Sequence, residues 1–277
     1  MNSELEALNQ WLRANKLCLN VNKTKYIIFR PTTITLLPEN MQIKINDQPI
    51  ERIGNNMNNK AFKFLGIHID ENITWKAHIK YICTKISRSN YIINKVKNVL
   101  PKSCLLTLYQ SIIQCHINYG LHLWGSSSSI ERITKLQKKS MLIINNKGYN
   151  YHTEPLFKES KVLTVRDQHK FNILNFMQQI KTMKVPESFR KLEYFTPPLR
   201  PTRHINTNLA NRKRARTKFT SLLPLHKFPQ TWNDINSNLR NIDSTASFKR
   251  VLRSYFLDNY SETVRCDNAR CRQCFPV

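Results

Sequence analysis

A chain of 277 residues with 44 Lys and Arg against 18 Asp and Glu carries a formal charge of +26. An excess of that size repels itself in a compact fold and is tolerated where a polyanion neutralises it, so nucleic acid leads as partner and an acidic membrane surface trails far behind. Apolar residues at 40% exclude wholesale disorder, and no apolar run approaches the roughly 18 residues of a membrane helix. The acidic, amphipathic start MNSELEALNQ fits neither a secretory signal nor a transit peptide. Seven cysteines in so long a chain argue against a disulfide scaffold. The expected location is intracellular, nuclear or cytoplasmic or both.

In chain order, SELEALNQWLRANK reads as a helix capped by Ser3, with Leu5, Leu8, Trp11 and Leu12 on its apolar face. KYIIF (Lys25 to Phe29) reads as a buried strand. Gln42 to Ile45 and Pro49 to Ile53 form a hairpin around Asn46 and Asp47. FKFLGIHID alternates as one strand through Phe62, Phe64, Ile67 and Ile69, with a bulge at Leu65-Gly66. The period then changes. Trp75, Ile79, Ile82, Ile86, Ile93, Val96 and Leu100 keep heptad spacing, with Ser89 the polar member, in a helix capped by Thr74. A second helix after Pro101 uses Leu105, Tyr109, Ile112 and either His116 or Ile117, and stops at Gly120. A third runs from Ser129 to Asn145 with Ile130, Ile133, Leu136 and Ile144 inward, which completes a bundle. Val165 to Met183 and Thr245 to Tyr260 are further helices, and residues 185–230 read as a Pro-rich, irregular basic connection. The fold class is therefore α+β: a partial antiparallel sheet with one helix (1–72), a helical bundle (73–148) and a C-terminal extension (149–277).

The distribution of charge is more informative than its total. No acid lies between Glu71 and Glu131, and none between Tyr194 and Asn233. Solvated helices usually mix both signs to gain spacing-four pairs, so such windows suit an anionic partner. In the first, Lys76, Lys80, Arg88 and Lys95 project opposite the apolar seam. In the second, Arg212, Lys213, Arg214 and Arg216 cluster.

Catalytic chemistry is harder to find. Asp70 and Glu71 are adjacent, with His68 and His78 nearby. Adjacent strand residues point to opposite faces, so the two carboxylates cannot converge on metal ions unless the strand ends between them. DENIT reads instead as a bend, with Asp70, Asn72 and Thr74 as turn and cap groups. No phosphate-binding, nucleophile-elbow or metalloprotease motif occurs, and His116 and His169 read as core or interface residues. Cys266, Cys271 and Cys274 have the spacing of three zinc ligands, with a distant fourth required; free thiols are the other reading.

The order of LEALNQWLRANKLCLNVNKTKYIIF, FKFLGIHIDENITWKAHI, LLTLYQSIIQCHINYGLHLWG and ITKLQKKSMLII resembles the C-terminal part of reverse transcriptases of LINE-type, non-LTR retrotransposons. The likeness is specific from Leu5 to Ile144 and looser through HTEPLF and TWNDI. It implies that Asn20, Lys23 and Thr24 match the palm segment after the catalytic loop, with Lys23 a candidate acid for the pyrophosphate leaving group. It implies that Phe64, Leu65 and Gly66 match the primer-grip strand, and that Trp75 to Asn145 match the thumb. The family's catalytic carboxylates would lie upstream, and no Asp-Asp pair occurs here. The expectation is thus a fragment of an RNA-directed DNA polymerase, inactive alone, binding RNA, DNA or their hybrid; magnesium would serve the full-length enzyme. A stand-alone basic RNA- or DNA-binding protein is the alternative.

Overall fold

The computed structural model describes residues 2–31, 43–45, 48–54, 60–192, 194–195 and 208–260. The fold is α+β and divides into two compact units, Met1–His78 and Ile79–Val277.

The first unit opens with α1 (Asn2–Ala14). Its Leu5 packs with Leu19, Val21 and Tyr26 against a small core of Ile43, Ile45 and Ile50. Leu8 and Trp11, expected on that apolar face, are exposed, and Asn9 is buried instead. Three two-stranded ladders follow. β1 (Lys25–Ile27) pairs in parallel with β4 (Glu51–Ile53), and β2 (Lys44–Ile45) pairs antiparallel with β3 (Gln48–Pro49). The hairpin expected around residues 46 and 47 is thus present, with its turn outside the described residues. Its far strand ends early, because Glu51 to Ile53 turn to β1.

The expected single strand with a bulge is a hairpin: β5 (Ala61–Phe64) pairs with β6 (Ile67–Asp70) through a two-residue turn. Leu65 (φ 45°) and Gly66 (φ 84°) both lie in the left-handed region, as a type I′ connection requires. The turn was masked in the sequence because a leucine stands where Asn, Asp or Gly is usual.

The second unit is helical. α2 (Lys76–Val96) buries Ile79, Ile82, Ile86, Ser89 and Ile93, the expected seam. α3 (Lys102–Tyr109) runs through a π-helical wide turn (Gln110–Gln114) into α4 (Cys115–Asn118), and Gly120, at φ 62°, turns the chain into α5 (Leu121–Trp124). The buried residues are Leu105, Tyr109, Ile113 and Ile117. A strict spacing of four drifts around a 3.6-residue helix, and the wide turn resets the phase, so Ile113 faces inward rather than the expected Ile112. Ser89 Oγ donates to the Ile112 carbonyl within that turn (3.0 Å), tying α2 to it.

α6 (Glu131–Ile144) crosses these with Ile133, Gln137, Ser140, Met141 and Ile144 buried. Leu136, expected inward, is half-buried. Its polar members are paired. Gln137 Nε2 donates to Tyr109 Oη and the Leu163 carbonyl, while its Oε1 accepts from the Val165 amide. Ser140 Oγ donates to Asn90 Oδ1 on α2 (2.6 Å). After α7 (Glu154–Glu159), α8 (Val165–Lys181) is the central helix of the remainder. α9 (Glu187–Arg190), α10 (Lys218–Leu222), α11 (Pro224–Asn233), α12 (Ser237–Arg240) and α13 (Thr245–Asp258) complete the unit. The connection read as irregular therefore contains three of these short helices, α9 to α11. Pro224 sits at the start of α11, where proline is tolerated because its missing amide would be unpaired anyway.

Candidate nucleic-acid interface

The bend after β6 sets where α2 begins. Asp70 Oδ2 accepts from the Thr74 amide and hydroxyl, and Oδ1 from the Trp75 amide, each at 2.9 Å. Ile73 (φ 50°) and Trp75 (φ 62°) are bulky residues in the left-handed region, a strain that these bonds hold in place. The expected cap, Thr74, accepts a longer bond from the Lys76 amide (3.4 Å), so Asp70 is the stronger cap. Glu71 turns the other way. It is wholly buried against the guanidinium groups of Arg30 and Arg52, and Asn72 Nδ2 donates to the Arg30 carbonyl (2.9 Å). Gly54 lies close beside it: a Cβ there would stand 2.7 Å from Glu71 Oε2, so the carboxylate would have to shift to admit one.

The neighbouring imidazoles are also structural in their contacts. The His68 amide reaches His78 Nδ1 at 3.4 Å, and the rings stand 6.2 Å apart. Burial, then the neighbouring His68, lowers the His78 pKa to about 4. Burial, then Lys63, lowers that of His68. His169 is buried, with its ring against Gly125, and burial followed by Lys227 lowers its pKa to about 4. Among the described residues no cluster of three metal-ligating side chains occurs. Cys266, Cys271 and Cys274 lie outside the described residues.

Along α2, Lys76, Lys80, Arg88 and Lys95 are all exposed. Among the described residues none of them pairs with a carboxylate. At 1.5 Å per residue they extend over about 28 Å, a little less than one duplex turn. Exposed Thr84, Ser87 and Tyr91 lie between them, and Lys95 Nζ sits 5.5 Å over the Tyr91 ring. Cations and hydroxyls on a rigid rod suit phosphate oxygens and carry no base readout.

The other candidates fall in separate places. Phe64 and Leu65 are 55% and 74% exposed at the β5–β6 tip, beside Gly66. Lys23 ends a one-turn 3₁₀ helix (Val21–Lys23), where its amide donates to Asn20 Oδ1 and its side chain is exposed. Arg212, Lys213, Arg214 and Arg216 are exposed on an extended segment tied down at both ends. Upstream, Asn233 donates to and accepts from the Ala210 backbone, and Trp232 Nε1 donates to the Asn208 carbonyl. Downstream, Thr217 and Thr220 form a reciprocal cap for α10.

Sequence reading missed a third group. Lys135, Lys138 and Lys139 of α6 and Tyr149, Tyr151 and His152 beyond it line one pocket of about 400 Å³. Its signal was present: no acid occurs between Glu131 and Glu154 either.

No family model matches the chain, and no solved structure does. Two curated proteins of Drosophila melanogaster are similar to it. The RNA-directed DNA polymerase from mobile element jockey is 25% identical over 182 residues, 64% of this chain and 19% of that protein. The probable RNA-directed DNA polymerase from transposon X-element is 25% identical over 165 residues, 58% of this chain and 17% of that protein. The chain thus spans under a fifth of the length of each relative it matches. Motif order and this comparison point the same way: the chain is similar to part of the RNA-directed DNA polymerases of two mobile elements.

Proposed function

We propose that the chain grips a template–primer duplex by its sugar–phosphate backbone, as the end of the palm and the thumb of a reverse transcriptase, in the nucleus, the cytoplasm or both. The carrying observation is α2, buried along one seam and presenting Lys76, Lys80, Arg88 and Lys95 on the exposed face. The exposed Phe64, Leu65 and Gly66 hairpin tip would touch the primer strand, Arg212 to Arg216 would add phosphate contacts, and Lys23 is the candidate leaving-group acid.

Among the described residues, the adjacent carboxylates Asp70 and Glu71 do not fit the polymerase magnesium site. The two oxygens of Asp70 are engaged by the start of α2, and Glu71 is enclosed by two arginines. Residues 1–277 alone are therefore expected to bind without extending a primer. The second unit closes its own core, which favours a stand-alone RNA- or DNA-binding module as the second reading.

The test is binding of the purified chain to a primer–template hybrid, duplex DNA and single-stranded RNA across a salt series. Each phosphate contact on a duplex contributes a slope of about 0.9 in log K against log salt. Changing Lys76, Lys80, Arg88 and Lys95 together to Glu is expected to remove about 3–4 from that slope and to abolish any preference for the hybrid. An unchanged slope overturns the assignment of α2. Equal affinity for every polyanion favours the stand-alone module.

A further inference from the structure

We infer that the pocket between α6 and the 145–153 segment is a binding site for single-stranded nucleic acid, one that stacks a base and holds its flanking phosphates. The site stands apart from the duplex grip proposed for α2 and does not depend on it.

Lys135, Lys138 and Lys139 recur at spacings of three and four along α6 and so share one face of it. All three are exposed, and among the described residues none pairs with a carboxylate. Opposite them the chain leaves α6 with Asn146 in the left-handed region (φ 49°) and presents Tyr149 at 90% exposure. A tyrosine that open, beside three exposed ammonium groups, presents its ring to solvent, where a base can stack on its face. Tyr151 also lines the pocket and carries Lys147 Nζ 5.1 Å from its ring centroid, which ties a fourth cation to the same place.

Interleaved cations and aromatic faces are how proteins hold single strands, since every base has a π-face and a flanking phosphate, whereas a duplex keeps its bases stacked inside. One carboxylate, Glu154, also lines the pocket. It disfavours a bare phosphate and offers an acceptor to a base amino group. The volume of about 400 Å³ is in the range of small-ligand pockets.

The test uses the whole chain and three probes: a 12-nucleotide single strand carrying 2-aminopurine, the same strand with abasic sites, and a blunt duplex. Stacking on tyrosine is expected to quench the 2-aminopurine, and the abasic strand is expected to bind about tenfold more weakly. Tyr149→Ala should reproduce that loss and abolish the quench, Tyr149→Phe should retain both, and duplex affinity should not change. Lys135, Lys138 and Lys139 changed to Gln should lower the single-strand salt slope by about 2, at roughly 0.7 per phosphate. Equal binding of the abasic strand, or a quench that survives Tyr149→Ala, overturns the inference, because it would leave only electrostatic capture. The charge-reversed α2 variant separates the two proposals: it should lose the duplex and keep the quench.

Discussion

Among the described residues of the first unit the most deeply buried polar feature is ionic. Glu71 is wholly enclosed between Arg30 and Arg52, next to ladders only two strands wide. In the second unit the wholly buried side chains include Trp124, Trp232, Tyr109, Phe157 and Phe248, and most of the buried polar groups described there are uncharged amides and hydroxyls such as Gln137, Asn90 and Ser140, with Arg240 the charged member. A neutral amide loses little on leaving water once its bonds are made. A buried charge is tolerable only while its partner stays in place. The first unit is therefore specified by a few directional contacts that fail together. The second is specified by volume and gives way by degrees.

The sharpest way to break this contrast is to remove one group from each side. Glu71→Ala leaves two mostly buried guanidiniums without their carboxylate and is expected to cost about 3–5 kcal/mol. Hydrogen exchange should show β1 and β4 opening while α8 keeps its protection. Trp232→Ala, expected to cost a similar 3–5 kcal/mol through its cavity, should do the reverse. Opening of both units in either variant would refute the division.

Acid should affect both units through different histidines. His78 and His169 are held at about 4 in the fold, chiefly by burial. A free imidazole near 6.5 takes up its proton first, so each contributes fully above about pH 6.5 and loses that contribution as pH falls towards 4. Between pH 7 and 5 each is expected to lose roughly 1–2 kcal/mol. Urea titrations at the two pH values would show this, and His169→Gln should flatten the dependence of the second unit alone.

The smallest effect concerns the hairpin tip. Leu65 sits at φ 45° with its side chain 74% exposed, so Leu65→Gly is expected to raise stability by about 0.5–1 kcal/mol while weakening hybrid binding. A gain in both would mean that the leucine has no contact to make.

How much of this was legible follows from the range of each interaction. The α2 seam was readable because heptad spacing is local, and Ser89 at its polar position finds its partner only across the bundle. Ile113 was missed in favour of Ile112 because nothing in QSIIQ announces a wide turn. The hairpin was read as one strand because Leu65 hides its turn. The bend at Asp70 was readable from cap chemistry, but the role of Glu71 was not, since its partners lie 41 and 19 residues away. The tyrosine–lysine pocket went unread because its acid-free window is short and its two halves flank a helix end.

The adjacent carboxylates of Asp70 and Glu71 also differ in when they can act during folding. The bonds of Asp70 close four and five residues downstream, within reach of a nascent helix turn that forms in under a microsecond. Those of Glu71 close loops of 19 and 41 residues, whose ends must find each other first. One peptide bond thus joins an early event to a late one. The start of α2 can be laid down before the ion pairs that lock the ladders behind it.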